Sequence, residues 1–359
     1  MEQPVRATKV QSDDLRYVVD VVKNHLTSYD IQVNPLSVRF YYVNSDNPDL
    51  FNAFDEIRTE LVPKGYIPFL SEEAEHFLEV SRRPQTSYYG VYVNVIMLAL
   101  TLLSTIYVGS TYAADFVATS SSVWTSLFYG FVFFSLPLML ILGIHETGHY
   151  IVAKRHKVRA SLPFFIPFPL TIGTFGAFIS LRDPVPNKRA MVEIGIAGPL
   201  FGFLTALPLM FVASYLSHMF VPVANAHNPF TINFPLIYQL LHLSTPGSEP
   251  IFPMVLAVWV GMFATAMNLI PVGQLDGGHV VRGLLGKKAS IIDYIFIAFL
   301  VIIGWNYNGW WLLAIFVVFM GLTHPPALDD YSPIKGRQVV LGLVGLLMFV
   351  LTFTTIPIK

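Results

Sequence analysis

His145, Glu146 and His149 form an H-E-x-x-H pattern. On a helix, residues four apart lie on one face, so the two imidazoles stand about one turn from each other. Two neutral imidazoles so placed can grip one Zn²⁺, and the Glu between them can serve as general base toward a water. With 10 His and 23 acidic residues in the chain, chance supplies only about 0.02 such matches. The pattern lies at the end of an apolar run, Val123 to Ala153, which Lys154 and Arg155 close. Ionisable groups in a membrane helix are costly and mark function. These three residues are therefore predicted to be a metal pair and a base inside a bilayer.

A catalytic zinc needs a third protein ligand and an open position. The chain has no cysteine, so His, Asp and Glu are the candidates. Asp276 stands out, because Pro271 and the pair Gly277-Gly278 around it must break a helix. A broken helix lining a cavity can turn a carboxylate inward at membrane depth. Spacing alone leaves His279 and Glu193 open beside it, and Asp-Gly is also an ordinary turn dipeptide.

These residues need a membrane scaffold. Hydrophobic residues are 54 %, charged residues 13 %, and the mean hydropathy is +0.57. A soluble domain carries about 25 % charged residues. The net charge of −1 says nothing about nucleic acid, and no basic run suggests it, so no nucleic-acid partner is expected. The expected class is a polytopic α-helical membrane protein with about seven transmembrane segments. The apolar runs are Gly90–Ile106, Val123–Ala153, Ala190–Leu216, Ile251–Ile270, Ile291–Gly304, Trp310–Leu322 and Val339–Ile356. The fifth and sixth fall short of the roughly 20 residues of a full span and could form one hairpin that does not cross.

Residues 1–85 hold many of the charges and no such run. A helical stripe at Asp13–Leu26, strands at Ser37–Val43, Tyr66–Leu70 and His76–Val80, and a helix at Leu50–Leu61 predict a small α+β domain. Domain limits are set at 1–85 for this domain, 86–286 for the catalytic membrane core and 287–359 for the C-terminal segments.

Lys and Arg follow the second run, precede the third and follow the fourth, while Gly109–Ser122, Ser217–Pro250 and Trp305–Gly309 carry none. Basic loops mark the cytoplasmic side. The N-terminal domain then lies in the cytoplasm and the C-terminus outside. The polar N-terminus is no cleaved signal peptide and shows no transit peptide, so a multi-pass plasma-membrane protein is expected. At 1.5 Å per residue, His145 and His149 sit about 7–14 Å inside the cytoplasmic boundary.

Two segments taken together, GIHETGHY (143–150) and NLIPVGQLDGG (268–278), resemble the site-2 protease family of intramembrane zinc metalloproteases. GTFGAFISL (173–181) and GIAGPLFG (195–202) between them are also similar to the family. The resemblance covers about residues 90–286. It implies one zinc per chain held by His145, His149 and Asp276, with Glu146 activating water. It implies a positioning role for Asn268, and a membrane-embedded loop and β-hairpin at Ser161–Leu181, where Gly173, Phe175 and Gly176 would meet substrate. The substrates implied are transmembrane proteins within the lipid bilayer. His279 is then structural, Glu193 pairs with Lys188 or Arg189, and Gly195, Gly198 and Gly202 form a helix-packing face. No segment resembles the PDZ domain of many relatives.

Two other functions use the same residues. A membrane metal-ion transporter would string ionisable residues across several spans, whereas here they cluster at one depth. A catalytically inactive, substrate-binding relative would have lost Glu146.

Overall fold

The computed structural model of the chain describes residues 12–47, 49–72, 75–84, 90–116, 122–220, 222, 231–241, 250–322 and 325–358. Residues 1–11 of the polar N-terminus, Pro48, and parts of the two long loops without Lys or Arg lie outside the described residues.

The N-terminal unit is α1 (Ser12–His25), β1 (Asp30–Val33), β2 (Ser37–Tyr41), α2 (Leu50–Leu61), β3 (Tyr66–Glu72) and β4 (His76–Arg82). Its antiparallel sheet has the order β1-β2-β4-β3. Alternate residues of a strand share a face, so Val38, Phe40, Leu78 and Val80 lie together and meet Val18 and Val22 of α1 and Ile57 and Leu61 of α2. β1 is short and mostly exposed, without the apolar alternation that marks a strand, and it was not legible in the sequence. Leu328, from far along the chain, enters this same core, and its carbonyl accepts the Leu70 amide on the free edge of β3 at 2.9 Å.

The membrane part begins with α3 (Val91–Ala113), longer than the run expected from Gly90 to Ile106. Next come α4 (Val123–Gly130) and α5 (Leu136–Arg155), joined without interruption by a π-helical turn at Phe131–Ser135. Such wide turns are how helices take up an extra residue, often near functional sites. A Cβ on Gly130 would lie 2.3 Å from the Ser110 nitrogen, so only Gly allows α3 and α4 to cross this closely. A hairpin of β5 (Phe164–Phe168) and β6 (Gly173–Phe178) leads to α6 (Lys188–Met219). The chain continues through α7 (Leu236–Leu240), α8 (Pro253–Asn268), α9 (Asp276–Leu285), α10 (Ala289–Ile303), α11 (Gly309–Met320) and α12 (Gly336–Thr352).

Three continuous helical stretches are long and apolar enough to cross a membrane: Val91–Phe116, Val123–Arg155 and Lys188–Met219. The protein is mostly helical, with its small sheet domain at the N-terminal end. At 1.5 Å per residue, α10 and α11 span only about 22 and 18 Å, less than the roughly 30 Å hydrocarbon core.

Connections gather at two ends of the bundle. At one, Leu328 donates to Val185, Arg282 pairs with Asp330 at 2.7 Å, and Asp183 joins Arg83 to Arg159. At the other, Asn233 donates to Pro357 at 2.9 Å, Trp259 to Asn233 at 3.0 Å, and Trp310 to Thr355 at 2.6 Å.

Candidate active site

The site is built where α5, α6 and α9 meet. His145, Glu146 and His149 are all buried on α5, at 3 %, 5 % and 6 % exposure. α6 can approach because it offers glycines at this crossing. A Cβ on Gly148 of α5 would lie 2.8 Å from the Ala197 carbonyl. A Cβ on Gly198 would lie 2.0 Å from His149 Nε2 and 2.7 Å from His145 Cδ2, so the backbone of α6 forms one wall of the imidazole slot. Gly202 backs His145 from one turn on, and Gly195 backs the start of α9 through the Asp276 carbonyl and His279. The small-residue face is thus helix packing at the site itself.

α8 ends at Asn268, and the connection through Pro271 and Gly273 reverses the chain so that α9 starts at Asp276. A Cβ on Gly277 would meet the Leu269 carbonyl at 2.1 Å, which is why this turn requires glycine. The turn carries Asp276 Oδ2 to 3.3 Å from His145 Nε2 and 3.1 Å from His149 Nε2, while the two nitrogens are 3.3 Å apart. A tetrahedron with metal–ligand distances of about 2.0–2.1 Å has edges of about 3.3 Å. The spacing of the three atoms fits three ligands that would hold a tetrahedral zinc, and no other such group of His, Asp or Glu occurs among the described residues. His149 Nδ1 lies 2.7 Å from the Ile194 carbonyl. The Nδ1-protonated tautomer would donate to this carbonyl and leave the Nε2 lone pair facing the other two ligand atoms. Two neutral nitrogens, a carboxylate and no thiolate are a zinc-competent donor set.

Glu146 keeps out of the triangle, its nearest carboxylate oxygen 3.9 Å from His145 Nε2. Asn268 Nδ2 lies 3.3 Å from His145 Nε2, so the amide faces the ligand cluster. Neither rival of Asp276 is at the triangle. Glu193 is held by His156 at 2.9 Å, Gln338 at 2.7 Å and Arg337 at 3.8 Å. Those are its partners, in place of the expected Lys188 or Arg189, because the end of α5 brings His156 and the start of α12 brings Arg337 and Gln338 to it. His279 points its Nδ1 at the Leu275 carbonyl, 3.0 Å away in its own helix.

The hairpin is antiparallel with a register shift at Ile166/Pro167. Pro167 has no N–H to give to the ladder, and Phe175 becomes the unpaired extra residue of a bulge. The Thr174 hydroxyl pins the bulge, donating to Ile166 O at 2.8 Å and accepting from Gly176 N at 2.9 Å. Phe175 is 67 % exposed and stacks on Phe168. Gly173, at φ +80°, lies against Thr105 of α3, and its carbonyl accepts from Ser104 at 2.7 Å. Gly173, Phe175 and Gly176 are thus not brought to the ligand triangle. At about 3.3 Å per residue the strand carries Gly173 roughly 20 Å from Ile179. It is Ile179, just past β6, whose backbone lies near the Glu146 carboxylate. Ser180 pairs inward with Ser161. In an antiparallel ladder the alternate residues, Ile179 and Ala177, then turn their main-chain groups to the outer edge, on the side of Glu146. The signal for Ile179 was period-two counting from the hairpin pairing, which the sequence did not supply.

Residues 133–303 match the model of peptidase family M50. Among curated proteins, the chain is similar to "Probable zinc metalloprotease EGY1, chloroplastic" of Arabidopsis thaliana, 31 % identical over 65 % of this chain and 44 % of the relative. The Oryza sativa subsp. japonica protein of the same name is 29 % identical over 76 % of this chain and 52 % of the relative. "Probable zinc metalloprotease EGY2, chloroplastic" of Arabidopsis thaliana is 29 % identical over 62 % of this chain and 41 % of the relative. The chain spans about half the length of these relatives. The His-His-Asp triangle, the part of α5 that carries its histidines and the whole of α6 lie inside the matched region, so the core of this chain is similar to peptidase family M50 and to zinc metalloproteases of the site-2 protease type.

Proposed function

We propose that the chain hydrolyses peptide bonds within or beside membrane-spanning segments of other proteins, using one zinc held by His145, His149 and Asp276. The observation that carries this is the triangle of ligand atoms with 3.1–3.3 Å edges beside a buried glutamate, set among helices able to cross a bilayer. When bound, the zinc supplies Lewis-acid polarisation of a carbonyl and acidifies water. Glu146 takes the proton of the attacking water on its carboxylate and passes it to the leaving amine. Asn268 orients the substrate carbonyl from the other side of His145. A helical substrate hides its peptide bonds in its own ladder and must unwind first. The outer edge of β6 can pair with the extended segment by strand addition, Ala177 supplying free main-chain groups. Gly173, Phe175 and Gly176 then act at a distance from the cut, holding the bulge and presenting an aromatic face to the substrate's flank.

We further propose about seven crossings, with the α10–α11 pair as tilted or partial spans, and the division into 1–85, 86–286 and 287–359. Basic loops at Lys154–Arg159, Lys188–Arg189, Lys287–Lys288 and Lys335–Arg337 gather at the end where the N-terminal domain docks. By the positive-inside rule that end is cytoplasmic, the C-terminus is on the far side, and the membrane is a plasma membrane. The named plant relatives are chloroplastic; in an organelle the same rule would turn the basic end to the compartment from which the chain inserts.

Purified protein and Glu146→Gln, incubated with single-helix membrane substrates with and without chelator, test the function. Cleavage lost in the variant and in chelator supports it. No cleavage of any apolar-helix substrate by the zinc-loaded wild type, or zinc flux across vesicles in its place, would refute it.

A further inference from the structure

α10 is an apolar helix with one charged residue, Asp293. Its side chain is buried, at 3 % exposure. A carboxylate in such a helix is expensive, and this one is not near the ligand triangle by sequence or by any direct contact. Its Oδ1 accepts the N–H of Gly273 at 3.0 Å, a bond buried from solvent. Gly273 lies in the connection between α8 and α9, at φ +53°, a left-handed conformation that suits glycine. The same connection is held from α11. A Cβ on Gly273 would lie 3.1 Å from Val317 and 3.2 Å from the Gly321 carbonyl, and Gln274 Nε2 donates to Met320 O at 3.2 Å. Three residues after Gly273 comes Asp276, whose oxygen completes the triangle.

A turn of this kind carries main-chain donors that no helix ladder satisfies. Within a bilayer no water satisfies an unpaired N–H, so a partner must be supplied. Asp293 supplies the acceptor oxygen from a neighbouring helix. It also fixes the turn in one place, because α10 is itself packed through Leu300 and Ile303 against Ile270 and Val272 of the same connection.

We infer that Asp293 is a positioning residue for the metal centre: through the Gly273 amide it holds the α8–α9 turn so that Asp276 reaches His145 and His149. This rests on reading that triangle as the zinc site. It also makes α10 and α11 the seat of one corner of the site, and so part of the working core.

The test is zinc affinity of the purified full chain, measured by competition with a chelating dye, together with the absorption bands of the Co²⁺-substituted protein. Supporting residues around metal ligands are worth about 10–100-fold in affinity. Asp293→Ala should weaken zinc binding by that factor and change the Co²⁺ bands at saturation. Asp293→Asn keeps an acceptor oxygen in place and should stay within about threefold. Asp293→Glu keeps the charge but shifts the acceptor by about 1.5 Å, and should weaken binding, so the inference stays testable should the alanine variant not fold. Wild-type affinity and bands in Asp293→Ala or Asp293→Glu would overturn it, as would Asp293→Asn binding as weakly as alanine. A wild type that binds no zinc would defeat the reading of the triangle, a result separate from these.

Discussion

Gly198→Ala should destroy the metal centre while leaving the helix that carries it intact. The added Cβ would stand 2.0 Å from His149 Nε2, 2.4 Å from its Cδ2 and 2.7 Å from His145 Cδ2. Ordinary contacts begin near 3.4 Å, so the ring or the helix must give by about 1.4 Å. The ring has little freedom, since its Nδ1 is tied to Ile194 O at 2.7 Å. Zinc sites tolerate about 0.2 Å in ligand distance, and a misplacement of about 1 Å at a reacting centre costs about 100-fold. The expected loss in kcat/KM is thus at least 100-fold, or about 2.7 kcal/mol at 1.36 kcal/mol per tenfold, with zinc content well below one per chain. Intrinsic propensity runs the other way: Ala favours a helix interior over Gly by about 1 kcal/mol. Gly202→Ala, with its nearest atom 3.0 Å away, should lose less, and Gly336→Ala, with nothing within 4 Å, should lose nothing. Metal analysis, cleavage of a single-helix substrate and thermal melting in detergent read all three. Full zinc occupancy in Gly198→Ala, with activity within threefold of wild type, would show that the imidazoles do not lie in the slot described.

Glu146→Gln should lose proteolysis by several orders of magnitude and keep its zinc; depletion of zinc would instead make Glu146 a ligand. Asp276→Ala should drop zinc occupancy as His149→Ala does, whereas Glu193→Ala should retain it, and the reverse pattern would move the third ligand. Asp183 is pushed upward by burial, but Arg159 through its side chain and amide, and Arg83, together hold it below the usual carboxylate range. A depressed carboxylate contributes fully above its unfolded pKa of about 3.9 and loses that contribution only as pH falls through its lower folded value. Docking of the N-terminal domain should therefore survive mild acid, while Asp183→Asn should loosen it at neutral pH; equal rates of proteolytic release of residues 1–85 in both proteins would refute this. Single cysteines near His156, introduced into this Cys-free chain, should react with an impermeant thiol reagent from the basic side alone, and labelling from the far side would reverse the orientation.

The chemistry of α5 was legible because its parts are local. H-E-x-x-H is set by helix period, the apolar run by composition, and the break before Asp276 by Pro271 and two glycines, each a property of a few adjacent residues. The N-terminal sheet was legible for the same reason, except β1, whose exposed residues alternate with nothing. Which carboxylate stands beside the imidazoles is a matter of packing. Asp276 lies 131 residues from His145, and no period links them. Glu193 was free to compete on paper but is engaged by His156 at the end of α5 and by Arg337 and Gln338 of α12. Gly198 read as helix packing, which it is; that the packed partner is an imidazole depends on the crossing point of α5 and α6. The outer edge of β6 and the backbone of Ile179 depend on hairpin register, and the bulge at Phe175 shifts that register by one. Local spacing is written in bonded geometry, which neighbours in sequence share. The choice among distant partners is made by which surfaces can close without voids or unpaired polar groups, and that exists only once the whole bundle is packed.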